Sequence, residues 1–389
     1  MATMRVDISP STLQWAMERA DKQVEDLSQD LQKRVPAWLR RERKPTLKQL
    51  EAFARAVHVP FGYLFLSTPP AEAPVEIPDF RTQRGVQRTE LSLELRETLL
   101  AAERRQEWYR EYLLEQDVEP LVFVGSAKLS DNPNQVAASM RRRFRMTATE
   151  RAEIDVQYKE DYRNALVSRF EEQGILVCID GYVGTNTKRG LDLQEFRGFV
   201  LSDEYAPLIL VNGKDWPAAQ LFTLAHECAH LYLGQDALLD LTPFQSASTL
   251  EHSKVERWCN QVAAEFLVPL EELPKRVEQR AAMGEVVRLS REFRVSRLVM
   301  TQRLCERGAI EKSVCNELYR SQIKEYENWA DNETGGGNSY RTRLRKVGQR
   351  FARAVLQSAG RSGLPYTEAF RLLNVKNTKG LDEIRGLLS

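Results

Sequence analysis

Phe222-Thr223-Leu224-Ala225-His226-Glu227-Cys228-Ala229-His230-Leu231 is the stretch on which the reading of this 389-residue chain turns. Two histidines stand one helical turn apart in an apolar run, with a glutamate directly after the first. At about 3.6 residues per turn, His226 and His230 share one face, so both imidazoles can reach a single metal ion. Glu227 leans to the side of that face, where a base toward water is needed. Buried helices also carry histidines that only hydrogen-bond within a core. The chain has 4 histidines, however, and two of them fall within this one pentapeptide, which favours the metal reading.

A catalytic zinc takes three protein ligands and keeps a further position open for water. The third ligand is sought on a later helix. Residues 251–269 read as an amphipathic helix stopped by Pro269, with Val255, Trp258, Cys259, Val262, Ala263 and Phe266 at helical spacing. Glu256 and Asn260 lie one turn apart at the edge of that stripe. Glu256 is the expected third ligand, against the plain alternative of a solvated helix glutamate. Asn260 is expected to orient one ligand histidine through the ring nitrogen that does not touch the metal. Glu265 and His252 compete with Glu256 for the ligand role. Glu227 is the expected general base, and Tyr232 and His252 are candidate donors to a developing oxyanion.

Around the motif, Glu195-Phe196-Arg197-Gly198-Phe199-Val200-Leu201, then Pro207-Leu208-Ile209-Leu210-Val211-Asn212, and then the run from Glu256 to Pro269 complete a wider pattern. Together these resemble the ImmA/IrrE metallopeptidases over roughly residues 160–275. Cys228 and Cys259 stand where small apolar residues are more common in that family. The resemblance aligns Glu256 with the family's glutamate ligand. It implies an α+β, mainly α fold: a zincin-like core of gluzincin type with a small sheet, flanked by helical modules. It also implies a Zn2+ cofactor and a cytoplasmic protease that cuts a helix-turn-helix repressor. Long family members of this layout are often encoded beside a toxin, so a regulator or antitoxin that binds a partner toxin is the alternative.

Composition is compatible with this reading and adds little to it. Lysine plus arginine is 56 against 55 acidic residues, so no global field draws the chain to nucleic acid. No apolar run reaches membrane-spanning length, and the N-terminus lacks a signal-type hydrophobic segment, so no membrane partner is expected. The 5 cysteines are scattered among apolar residues without C-x-x-C spacing, and read as free thiols in a reducing cytosol.

Outside the core, residues 1–70 read as a repressor-type (XRE-like) helix-turn-helix module. Helices are expected over Pro10–Ala20, Val24–Leu31 and from Thr46, an N-cap. The space for a recognition helix is short: only a stub around Val35–Arg41, interrupted by Pro36, could enter a groove. Arg40, Arg41 and Arg43 could still grip DNA phosphates or be a solvated face. Residues 71–120 read as a proline-bearing linker and a charged helix, and 121–275 as the peptidase core. Residues 276–334 read as a helix-turn-helix-like extension and 338–389 as a C-terminal helical module. Ile175–Ile179, Phe199–Leu201 and Leu208–Val211 are the expected strands, and their sheet edge near the cleft would suit an extended substrate.

Overall fold

The computed structural model describes residues 4–71, 91–155, 161–239, 252–278, 281–330, 339–360 and 363–388. Much of the expected linker and the Gly335–Gly337 break lie outside these residues. The chain divides into two compact units, Met1–Glu76 with Leu91–Arg96, and the remainder to Ser389.

The first unit is helical: α1 (Pro10–Arg19), α2 (Gln29–Gln32), α3 (Val35–Leu39) and α4 (Leu47–Ala56). Leu13, Val35, Trp38, Leu50, Phe53 and Leu64 fill its core, with Trp38 set edge-on to Phe53 at 6.3 Å. Thr46 caps α4 reciprocally with Gln49, as the S/T-x-x-Q spacing requires. The single helix expected over Val24–Leu31 is instead a short 3-10 turn, Val24–Asp26, followed by α2. Its cause is local: the Gln23 N–H donates to Asp26, Leu27 is extended, and Ser28 starts the chain again. The stub is α3, five residues long with Pro36 in its first turn, and Arg41 leaves it at φ +58°.

The second unit centres on a four-stranded sheet of order β1-β3-β2-β4. Strands β1 (Leu176–Asp180) and β3 (Leu208–Asn212) run parallel; β2 (Gly198–Leu201) is antiparallel to β3 and to β4 (Ala237–Leu239). The residues of β1, β2 and β3 are buried throughout, which is why they read as unbroken apolar runs rather than as alternation. The helices are α5 (Leu93–Leu114), whose first residues group with the first unit, α6 (Pro133–Arg143), α7 (Ala148–Ala152), α8 (Asp161–Glu172), α9 (Pro217–Leu233), α10 (His252–Leu267), α11 (Ala282–Glu292), α12 (Arg297–Glu306), α13 (Lys312–Ala330), α14 (Ser339–Val347), α15 (Gln349–Gly360), α16 (Tyr366–Leu372) and α17 (Thr378–Leu388). Helix α9 packs on β2 and β3 on one side and on α10 on the other, and α6 backs α10.

The helix-turn-helix-like extension belongs to this core. Val299, Met300, Thr301, Arg303 and Leu304 of α12 are buried, and Val299, Met300 and Leu304 share the main core cluster. The C-terminal helices group with the core as well. Lys346 pairs with Asp180 at the end of β1 at 2.8 Å, and Arg350 donates to the Glu171 carbonyl at 2.7 Å. The basic cluster on α6 is partly structural, since Arg141 is buried and donates to the Glu265 carbonyl.

The free-thiol reading holds for Cys178, Cys228 and Cys259, all buried, and needs correction for the other pair. Cys305 and Cys315 form a disulfide joining α12 to α13. The turn between those helices brings the two β-carbons together, a proximity that spacing along the chain does not reveal. Among the described residues, no helix is long and apolar enough to cross a membrane.

Candidate metal centre

Helix α9 is mostly apolar, and Gln220 to Tyr232 are all buried. Pro217 opens it with a φ already suited to a helix, and Gly234, left-handed at φ +67°, closes it. Into this dry rod are set His226, Glu227 and His230, each fully buried.

The imidazoles meet as their spacing requires. His226 Nε2 and His230 Nε2 are 3.1 Å apart. Glu256 of α10 completes a triangle, its two oxygens each 3.2 Å from one of these nitrogens. Donors held at about 2.0–2.1 Å from a tetrahedral zinc lie about 3.3 Å from one another, so the three fit one ion. They form the group of potential metal-holding side chains found among the described residues. On the other side of the His226 ring, Nδ1–H donates to Asn260 Oδ1 at 3.0 Å, leaving Nε2 as the free lone pair.

The electrostatics are those of buried acids that no lysine or arginine meets among the described residues. Burial, reinforced by the charge of Glu256, pushes the Glu227 carboxyl well above the usual range. Neither Glu227 oxygen has a hydrogen-bond partner among the described residues. For Glu256, burial also favours the neutral form, but the contacts with His226 and His230 outweigh it and lower the carboxyl. Burial lowers His230 despite Glu256, so a neutral, metal-binding imidazole is favoured. The thiols of Cys228 and Cys259 are pushed up by burial, which makes them small apolar fillers.

Other expected residues lie elsewhere. Glu265 points away from the triangle; it is buried, ion-paired with Arg303 and accepts the Leu270 N–H at 3.3 Å. Tyr232 does not reach the cleft: two residues beyond His230, it faces the opposite side of α9 and packs on Phe123 with ring centroids 5.4 Å apart. It is therefore set aside as an oxyanion donor. His252 begins α10, and its side chain is outside the described residues. Arg40, Arg41 and Arg43 belong to the first unit, where Arg40 is held by Glu42 at 2.6 Å.

One site-forming residue was not singled out from the sequence. A Cβ on Gly198 would lie 3.1 Å from Glu227 Oε1 and 2.5 Å from a Thr223 methyl, so only glycine lets β2 approach α9 here. A glycine inside an otherwise apolar strand was the available signal.

Against this geometry, comparison with known families gives a consistent result. The peptidase family model described as the IrrE N-terminal-like domain matches residues 170–305. That segment, from the end of α8 to α12, contains the triangle and is the part of the chain similar to this family. A domain of unknown function matches residues 347–384, which span α15 and α16. No curated protein and no solved structure matches the chain.

Proposed function

We propose that the chain is a cytoplasmic zinc endopeptidase with a zincin-like core that cuts a regulatory protein, of the helix-turn-helix repressor class, to control gene expression. The carrying observation is the buried triangle of His226, His230 and Glu256 with Glu227 unpartnered beside it. Two imidazole nitrogens and a carboxylate oxygen suit zinc better than the harder magnesium or calcium ions. When bound there, zinc supplies Lewis acidity toward a carbonyl and acidifies water. Glu227 takes the proton of the attacking water and returns it to the leaving nitrogen. Asn260 keeps the His226 ring in its metal-facing tautomer. Walls that exclude bulk water strengthen each of these interactions.

A regulator or antitoxin that grips DNA or a partner toxin is the second reading. It draws on the exposed Arg41 and Arg43 beside α3. The two readings separate on Glu227→Gln. As a peptidase, the variant keeps its fold and one zinc per chain yet loses cleavage of an unfolded repressor, followed by mass spectrometry. A wild-type protein that holds zinc but leaves neighbouring-gene repressors intact would favour the regulator.

A further inference from the structure

The sheet ends beside Glu227 on a strand that the chain supplies to itself. Strand β2 has one edge on β3; its other edge would offer unpaired N–H and C=O groups next to the metal centre. Gly198 fixes how near this edge comes, with its absent Cβ 3.1 Å from Glu227 Oε1. An extended polypeptide pairing there would pass directly by the catalytic carboxylate. The edge is nevertheless taken. Strand β4 follows α9 through Gly234, and pairs antiparallel with β2 as Ala237↔Val200, Leu238↔Phe199 and Leu239↔Gly198. Its entry is pinned by Asp236, which accepts the Ser202 N–H, and by the buried Ala237.

Two features mark β4 as exchangeable. It is three residues long, so few ladder bonds hold it. An incoming strand would also replace each lost bond with one of the same kind, leaving the ladder balanced. Residues Leu208–Val211 on the other side of β2 stay paired throughout, so the exchange need not open the core.

Resting on the peptidase reading above, we propose that β4 is a built-in stand-in for substrate: an autoinhibitory strand that an extended segment of the target protein must displace from β2 before cleavage. The device selects targets with an accessible unstructured or strand-edge segment and resists compact ones.

A reversible lock tests this. Val200 and Ala237 are register partners and both buried in one core, so the double variant Val200→Cys, Ala237→Cys can be cross-linked in the full-length zinc-loaded protein. With disordered casein as the probe, oxidation should abolish cleavage and reduction should restore it. The wild type, carried through both treatments, controls for the Cys305–Cys315 bond. An oxidised variant that cuts casein as fast as its reduced form overturns the proposal and leaves the peptidase reading standing. A second readout does not depend on turnover: hydrogen exchange in zinc-loaded Glu227→Gln. Casein should strip protection from residues 237–239 while 198–201 stay protected; unchanged protection at 237–239 overturns the proposal. If the wild type cuts nothing while casein still displaces β4, the peptidase reading fails and the strand exchange stands as a binding mechanism.

Discussion

Two of the places at which the second unit buries carboxylates are treated in opposite ways. At the β1 end, Asp180 meets Lys346 at 2.8 Å, and Glu171 accepts the Arg350 N–H at 3.0 Å while Arg350 also holds Tyr109 at 2.7 Å. Asp180 there is met by a lysine side chain and the Glu171 carboxyl by a backbone N–H, both brought in by the C-terminal helices. At the α9–α10 crossing, Glu227 and Glu256 are as deeply buried, and what faces them is imidazole. A fold that supplies its own partners to buried acids in one place and not in another separates architecture from chemistry. The first arrangement closes on itself; the second awaits a cation from outside.

The largest effect expected is on the open arrangement. His226→Ala, His230→Ala and Glu256→Ala should each lower bound zinc to substoichiometric levels by elemental analysis, because three ligands leave no redundancy. Full zinc in Glu256→Ala would break the comparison, since an acid dispensable for metal would have no cation to explain its burial.

Next comes the closed arrangement. Lys346→Met strands Asp180 without its partner and should destabilise the unit by about 3–5 kcal/mol in urea titration, with zinc content unchanged. Adding Asp180→Asn should recover much of the loss, because the pair is coupled. Zinc lost in step with stability would mean that the two clusters are not separable.

A slightly smaller effect is expected from pH. Burial pushes the Glu171 carboxyl from the ordinary 4.5 up to about 7, against the opposing pull of the Arg350 and Gln349 backbone N–H groups. Between those values the folded protein holds a proton that the unfolded chain releases. Stability should therefore fall as pH rises from about 4.5 through 7, by up to about 3 kcal/mol. Glu171→Gln should flatten that part of the profile; a wild type that gains stability across the window would contradict the direction.

The smallest effect concerns charges that are not buried at all. Replacing Arg40, Arg41 and Arg43 together should leave the melting of the first unit almost unchanged. If the unit grips DNA phosphates, each lost contact should lower the log–log salt slope of binding by about one. A sharp, salt-resistant footprint of the wild type would show that so short an α3 still reads bases.

These outcomes bear on what a sequence can disclose. The triangle was legible because helical periodicity alone brings His226 to His230 and Glu256 to Asn260; no long-range knowledge was needed beyond two helices crossing. Strands β1, β2 and β3 were legible as apolar runs. Tyr232 misled because proximity in sequence to His230 was weighed above its angle around the helix. Strand β4 escaped notice because three residues carry too little pattern, and the Cys305–Cys315 pairing because it depends on a turn. Lys346 and Arg350 look like solvated surface charges in the sequence, and only the tertiary fold shows what each of them contacts.

Gly198 has a consequence for how such a chain can drift. Most positions of a buried strand tolerate an exchange of one aliphatic residue for another, at a modest loss of packing. Here the smallest exchange, a single methyl group, would collide with Thr223 and crowd the carboxylate of Glu227. A side chain at this one position would press at once on α9, on the backbone of β3 and on the Glu227 carboxylate, so the approach of strand to helix rests on one missing carbon atom.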